Sequence, residues 1–138
     1  MKKCCVLGLG YIGLPTAICI AKVGHKVIGV DINSEVINKI NSGNLHINEP
    51  GLKEYLIDVI ESGNLKAQSS PCKADVFLIA VPTPIIKKKD ELPKPNINYV
   101  IDAINSIIKY LRPGNLILIE STSPVGITDS VTSIIAKR

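Results

Sequence analysis

An apolar run that stops at a glycine and passes at once into two further glycines and a helical pattern constrains this chain more than any other feature. "CCVLG" (Cys4 to Gly8) reads as a short strand buried on both faces. "GLGYIGLPTA" (Gly8 to Ala17) then sets Gly8, Gly10 and Gly13 at Gly-x-Gly-x-x-Gly spacing. From Tyr11 to Val23 the apolar residues Leu14, Ala17, Ile18 and Ala21 recur at helical spacing, and Gly24 follows as a C-terminal cap. Pro15 lies inside this pattern. With a helix starting near Tyr11 or Ile12 it falls in the first turn or just past it, where backbone N–H groups lack intrahelical partners and a missing donor costs little.

The same alternation continues along the chain. "KVIGVD" (Lys26 to Asp31) is a second buried strand; "NSEVINKINSGNL" and "PGLKEYLIDVIESGNL" are helices ending at Gly43 and Gly63. The shared "SGNL" is two equivalent helix ends and not a repeat, because the flanking residues differ. "ADVFLIAVP" (Ala74 to Pro82) is the fourth strand and the strongest strand signal, a nearly unbroken β-branched and aromatic run. "TPIIKKKDELPKPN" reads as a long surface loop, "INYVIDAINSIIKYL" (Ile97 to Leu111) as an amphipathic helix stopped by Pro113-Gly114, "NLILIES" (Asn115 to Ser121) as the fifth strand, buried like the others, and the remainder as a last helix. Apolar strands separated by helices predict an α/β fold: a Rossmann-like, doubly wound parallel sheet in a three-layer α/β/α arrangement, one domain over residues 1–138.

A lone Gly-x-Gly-x-x-Gly is weak evidence, so its context decides. Here it follows a strand, opens a helix and precedes a second strand ending in Asp31, 18 residues beyond Gly13. That is close to the spacing of about 20 in the dinucleotide fingerprint. Gly8 allows the tight turn, Gly10 lets the backbone approach a pyrophosphate, and Gly13 lets the helix pack on the sheet, while the helix N-terminus attracts the phosphates. Asp31 would accept hydrogen bonds from the adenosine ribose and repel a 2'-phosphate, and no arginine follows it, which favours NAD over NADP. The competing role for Asp31 is to cap the next helix, a task that Asn33 or Ser34 can also perform. "VPTP" (Val81 to Pro84) and "STSPVG" (Ser121 to Gly126) end the fourth and fifth strands, on the edge where open parallel sheets bind ligands, and present Thr83 and Thr122 there.

Composition excludes other classes. The formal charge is +4, 16 basic against 12 acidic residues, and most of the excess is one lysine run, so no nucleic-acid partner is expected. No apolar run is long enough to cross a bilayer, and "MKKCCVLGLGYIG" lacks a cleavage site, so neither membrane insertion nor a signal peptide is expected. Cys4, Cys5, Cys19 and Cys72 have no metal-ligand spacing and read as small buried hydrophobes of a reducing cytoplasm. Lys87 to Lys89 read as a solvated loop tip, His25 and His46 as surface or capping residues, and Glu120 as a solvated strand-end carboxylate.

"GLGYIGLPTA", "VDIN", "NEPGL", "VPTP" and "ESTSPVG", in this order, resemble the amino-terminal domain of the UDP-glucose/GDP-mannose dehydrogenase family of nucleotide-sugar 6-dehydrogenases. The "GLGYIGLP" form most resembles the branch acting on UDP-N-acetylmannosamine and related N-acetylhexosamines; UDP-glucose and GDP-mannose are the alternative substrates. The resemblance implies two successive NAD-dependent oxidations of the sugar C6 alcohol to a carboxylate, through an enzyme-bound thioester, in a cytoplasmic homodimer serving surface polysaccharide synthesis. It implies an NAD site lined by Gly8, Gly10, Tyr11, Ile12, Gly13, Asp31, Thr83 and Thr122, with Thr122 also near the reacting carbon, where it helps hold a catalytic water. No metal is implied.

Two departures stand out. Where many members carry a basic residue shortly after the strand-two acid, this chain has Val36 and Ile37. Family members are about three times as long, with a central dimerisation helix and a sugar-binding domain, and none of the four cysteines here matches the family's catalytic one. The expectation is therefore a fragment that binds NAD but does not turn over sugar. A NAD-sensing regulatory module would share the glycine loop and Asp31 without needing "VPTP" and "STSPVG". A dehydrogenase of 3-hydroxy acids would share the loop without "NEPGL".

Overall fold

The structure is a computed structural model that describes residues 1–86 and 94–137. Five strands, β1 (Lys3–Leu7), β2 (Lys26–Val30), β3 (Leu65–Gln68), β4 (Val76–Ile79) and, beyond a short antiparallel pair formed by β5 (Ile85–Ile86) and β6 (Lys94–Pro95), β7 (Leu116–Ile119), include every member of the main sheet. The main sheet is parallel throughout, in the order β3-β2-β1-β4-β7. Helices α1 (Gly13–Lys22), α2 (Ser34–Asn41) and α3 (Leu52–Glu61) pack on one face, α4 (Asn98–Ile107) and α5 (Ile127–Ala136) on the other. The predicted three-layer, doubly wound α/β fold is what the chain adopts. Strand order reverses direction between β1 and β4, which makes the carboxyl ends of these strands the place for a ligand crevice.

Strand alternation divides the core in two. Val6 and Leu78 point to the α1 face and join Leu14, Ile18 and Leu56; Cys5, Phe77 and Ile79 point the other way and join Ile104 and Ile107. Helix α1 begins at Gly13 with Pro15 as its third residue, so the proline sits in the first turn as predicted. Its end is closed by Gly24, whose N–H donates to the Ala21 carbonyl at 3.0 Å.

Three expectations need correction. The third strand, β3, is not marked by an apolar run, because it lies at the sheet edge and alternates Leu65 and Ala67 inward with exposed Lys66. The fifth sheet strand, β7, is not buried on both faces: Leu116 and Leu118 are 51% and 44% exposed, because the helices on their side pack over β1 to β3. Cys19 is exposed and Cys72 half-buried, while only Cys4 and Cys5 behave as core residues. The expected surface loop after β4 carries the β5–β6 pair, and the Lys87 to Lys89 run lies outside the described residues. No described helix is long and apolar enough to cross a membrane.

Candidate dinucleotide-binding site

The glycine loop is fixed by contacts that leave no room for side chains. Gly8 has φ +90°, and a Cβ there would lie 2.5 Å from the Ala80 carbonyl oxygen. A Cβ on Gly13 would overlap the Gly8 carbonyl oxygen and press on the Ala80 methyl at 3.0 Å. These two glycines therefore let β1, β4 and α1 meet at one point. Gly10 differs: among the described residues a Cβ on it would meet nothing within 4 Å, so their packing does not require glycine there. Space beside the backbone at Gly10 is what a phosphate's close approach needs.

Among the described residues, no protein acceptor meets the N–H groups of Gly10, Tyr11, Ile12 or Gly13, whereas Leu14 N–H already donates to the Gly10 carbonyl at 3.1 Å. Four consecutive donors at the positive end of a ten-residue helix form an anion cradle. Tyr11 and Ile12 are 66% and 56% exposed, so it is their backbone N–H groups, and not buried side chains, that mark them for the site. Tyr11 and Pro15 face Glu49, Pro50, Gly51 and Tyr55 across an open groove of about 590 Å³, which brings the "NEPGL" segment beside the glycine loop.

Asp31 immediately follows β2. Its Oδ2 accepts from the Leu9 N–H at 3.0 Å and its Oδ1 from the Asn33 N–H at 2.9 Å, so the carboxylate ties the glycine loop to the end of β2. The helix-capping alternative is settled by Asn33, whose side chain accepts from the Glu35 N–H at 2.9 Å and caps α2. Val36 and Ile37, in place of a basic residue, are half-buried against the core of the α1 face.

On the other side of the crevice, Thr83 Oγ1 donates to the Thr122 carbonyl at 2.6 Å and Ser121 Oγ to the Val81 carbonyl at 2.8 Å. The loops after β4 and β7 are thus tied together, and the exposed Thr122 hydroxyl has no protein partner among the described residues. Sequence reasoning undervalued Glu120: it is exposed as expected, yet its Oε1 accepts from Thr16 Oγ1 in α1 at 3.2 Å. No motif spacing marks a contact between residues this far apart in sequence. His25 Nδ1 accepts from the Lys2 N–H at 3.3 Å; His46, expected at the surface or in a cap, has its Nδ1 buried with no partner among the described residues.

A residue-by-residue match over residues 2–138 relates the chain to the NAD binding domain of the UDP-glucose/GDP-mannose dehydrogenase family. The chain belongs to this family. It is 49% identical over 138 residues to the UDP-N-acetyl-D-mannosamine dehydrogenase of Methanococcus vannielii, covering all of this chain and 32% of that protein. Among solved structures, the UDP-N-acetyl-mannosamine dehydrogenase Cap5O of Staphylococcus aureus superposes with a TM-score of 0.91 at 46% identity, over 98% of this chain and 32% of that one. A UDP-glucose dehydrogenase from Pyrobaculum islandicum superposes at 0.87 with 32% identity, over 99% of this chain and 33% of that one. This family domain thus spans about a third of the length of its relatives.

NAD is the cofactor of the family's domain, and the residues present fit it: an unpartnered N–H cradle, an open flank at Gly10, and an acid at the end of β2. Two of the domain's thiols, Cys4 and Cys5, do not suit nucleophilic work. Burial pushes the Cys5 thiol up to about 12, and burial followed by the Asp75 carboxylate raises that of Cys4, whereas a reactive cysteine needs a lowered value. Among the described residues, no group of three His, Cys, Asp or Glu side chains is placed to hold a metal ion.

Proposed function

We propose that this chain is the NAD-binding part of an enzyme that oxidises the C6 alcohol of a UDP-N-acetylhexosamine, UDP-N-acetylmannosamine in the first instance, to the uronate. The observation that carries the cofactor half of this reading is the row of four unpartnered N–H groups beside Asp31 at the sheet's switch point. The substrate half is supported by identity, which is 41–49% to proteins named for UDP-N-acetylmannosamine and 32% to one named for UDP-glucose. Gly8 and Gly13 shape the loop, and the N–H groups of Gly10, Tyr11, Ile12 and Gly13 hold the pyrophosphate. Asp31 accepts from the adenosine ribose, and the Thr83–Thr122 pair borders the nicotinamide end, with the Thr122 hydroxyl positioned to hold water or substrate. Bound NAD supplies the hydride acceptor for both oxidations.

In this reading the nucleophilic cysteine lies in a part of the enzyme outside this chain: Cys4 and Cys5 are buried, and none of the four cysteines here matches the one the family resemblance implies. A cytoplasmic homodimer that feeds polysaccharide assembly completes the proposal.

Calorimetric titration of the chain should show NAD bound more tightly than NADP. Equal affinity for the two, or none for either, overturns the cofactor site. In a longer protein that carries this domain, UDP-N-acetylmannosamine should yield two NADH per sugar. One NADH per sugar overturns the reaction, and turnover with UDP-glucose alone overturns the branch. A domain that only senses NAD would form no NADH at all.

A further inference from the structure

The sheet has an internal symmetry that assigns a second acid to the cofactor. Leu7 pairs with Val30 on one side and with Ile79 on the other, and Ile79 pairs with Ile119, so the last residues of β2, β1, β4 and β7 form one row. The next residues in each strand are Asp31, Gly8, Ala80 and Glu120. Their backbones continue the row, Gly8 N–H donating to Val30, Ala80 N–H to Leu7 and Glu120 N–H to Ile79, each at 2.8 Å.

An acid therefore stands at each end of a four-residue row, with Gly8, which has no room for a Cβ, and Ala80 between them. Strand alternation carries all four positions to the α1 face, which also holds Val6, Gly29, Leu78 and Leu118. Asp31 reaches the glycine loop through the Leu9 N–H, and Glu120 reaches the first turns of α1 through Thr16 Oγ1. The N-terminus of α1 lies between the two carboxylates. Doubly wound sheets of this order consist of two mononucleotide-binding halves related across the switch point, in which β2 of one half corresponds to β7 of the other. Three inter-strand steps of about 4.8 Å separate the acids by roughly 14 Å. A pyrophosphate centred on the α1 N-terminus, with a ribose on each side, has to span that row.

We propose that Glu120 accepts hydrogen bonds from the hydroxyls of the nicotinamide ribose, as the counterpart of Asp31 on the adenosine ribose. The inference rests on the NAD site proposed above. On binding, the ribose hydroxyls take over the carboxylate now shared with Thr16, a weak exposed contact at 3.2 Å that is readily exchanged.

Titrating ADP, ADP-ribose and NAD into this chain and its variants tests the inference. ADP lacks the second ribose; ADP-ribose has it without the nicotinamide ring. Glu120→Ala should weaken ADP-ribose and NAD by roughly tenfold, the scale of hydrogen bonds to a charged group, and leave ADP unchanged. Thr16→Val removes the contact seen here but keeps the carboxylate, and should leave all three ligands unchanged. Unaltered binding of ADP-ribose to Glu120→Ala overturns the inference. A loss confined to NAD overturns it too, because it would assign Glu120 to the charged ring and not to the ribose. A loss that Thr16→Val reproduces, or that extends to ADP, makes the acid a strut for α1 and also overturns it. Failure of the unsubstituted chain to bind any of the three ligands would instead sink the NAD site itself.

Discussion

The β1–β2 side of the crevice is built from backbone, and the β4–β7 side from side chains. On the first, Gly8 and Gly13 meet Ala80 with no space for a Cβ, four N–H groups stand in a row, and Asp31 is held by two backbone donors. On the second, the loops after β4 and β7 are joined through Thr83 and Ser121, and the Glu120 side chain reaches Thr16 of α1. Backbone geometry cannot be retuned by exchanging a side chain, whereas a hydroxyl or carboxylate can be. In the function proposed above, the rigid side would meet the adenosine and pyrophosphate part of NAD, and the adjustable side the part that faces chemistry. Packing draws its line one strand further on: Val6 and Leu78 are buried on the α1 face of β1 and β4, and Leu116 and Leu118 on the same face of β7 are not.

The rigid side should break most severely. Gly13→Ala places a methyl on the Gly8 carbonyl, and neither β1 nor α1 can retreat without opening the core around Leu14 and Ile18, both essentially inaccessible. A loss of about 3 kcal/mol in denaturant unfolding is expected, the upper part of the overpacking range, together with loss of NAD binding. An alanine variant as stable as the parent would show that the loop is pliable and would erase the contrast between the two sides.

Asp31→Ala comes next. It removes the acceptor proposed for the adenosine ribose and the tie to Leu9, so NAD affinity should fall roughly 10- to 100-fold, as for other hydrogen bonds to a charged group. Repulsion of a 2'-phosphate disappears as well, so the preference over NADP should vanish. A variant that keeps its preference would place selectivity elsewhere, with Glu35 in the first turn of α2 the nearest further acid in sequence.

The fold was legible wherever burial and glycine coincide. The apolar run of β1, the glycine after each of α1, α2 and α3, and the spacing from Gly13 to Asp31 are local patterns with a single physical reading, and the ends of those three helices followed from them. Strand β3 escaped because a short edge strand needs only half of its residues to be apolar, and Lys66 and Gln68 mask Leu65 and Ala67. The exposure of β7 escaped because "LILI" looks the same whether or not anything covers it; coverage is a property of neighbours and not of the run. In the site, backbone donors and Asp31 were readable from spacing, but the Thr16–Glu120 and Thr83–Thr122 contacts join residues 104 and 39 positions apart. Such pairs become visible only once the strand order is known.

Thr83→Val tests the adjustable side with a smaller effect. The variant keeps the shape and loses one hydroxyl that donates to the Thr122 carbonyl, worth about 1 kcal/mol. NAD affinity should fall roughly fivefold, that of ADP should not change, and Thr83→Ser should restore the parent value. Loss of ADP binding in Thr83→Val would mean that this loop also supports the rigid side, and the division between the two would no longer hold.

The smallest effect is expected at Leu118, and it carries the packing half of the comparison. Leu118 pairs in register with Leu78, the same residue type on the same face one strand away, yet Leu78 is 5% exposed and Leu118 44%. A lysine at 118 can keep its stem along the apolar surface and its ammonium in water, and a charge on an exposed edge strand is what sheets commonly carry there. Leu118→Lys should therefore change unfolding free energy by no more than about 0.5 kcal/mol, the range of ordinary surface substitutions. Leucine at this position gains little from burial, so the measurement is sensitive to anything that covers the face in solution. A cost above about 1.5 kcal/mol, with an unfolding midpoint that rises with protein concentration in the parent chain only, would reveal a second copy seated on β7. In that case the two faces of the sheet would be equally packed in solution, and the exposure of β7 would describe the single chain alone.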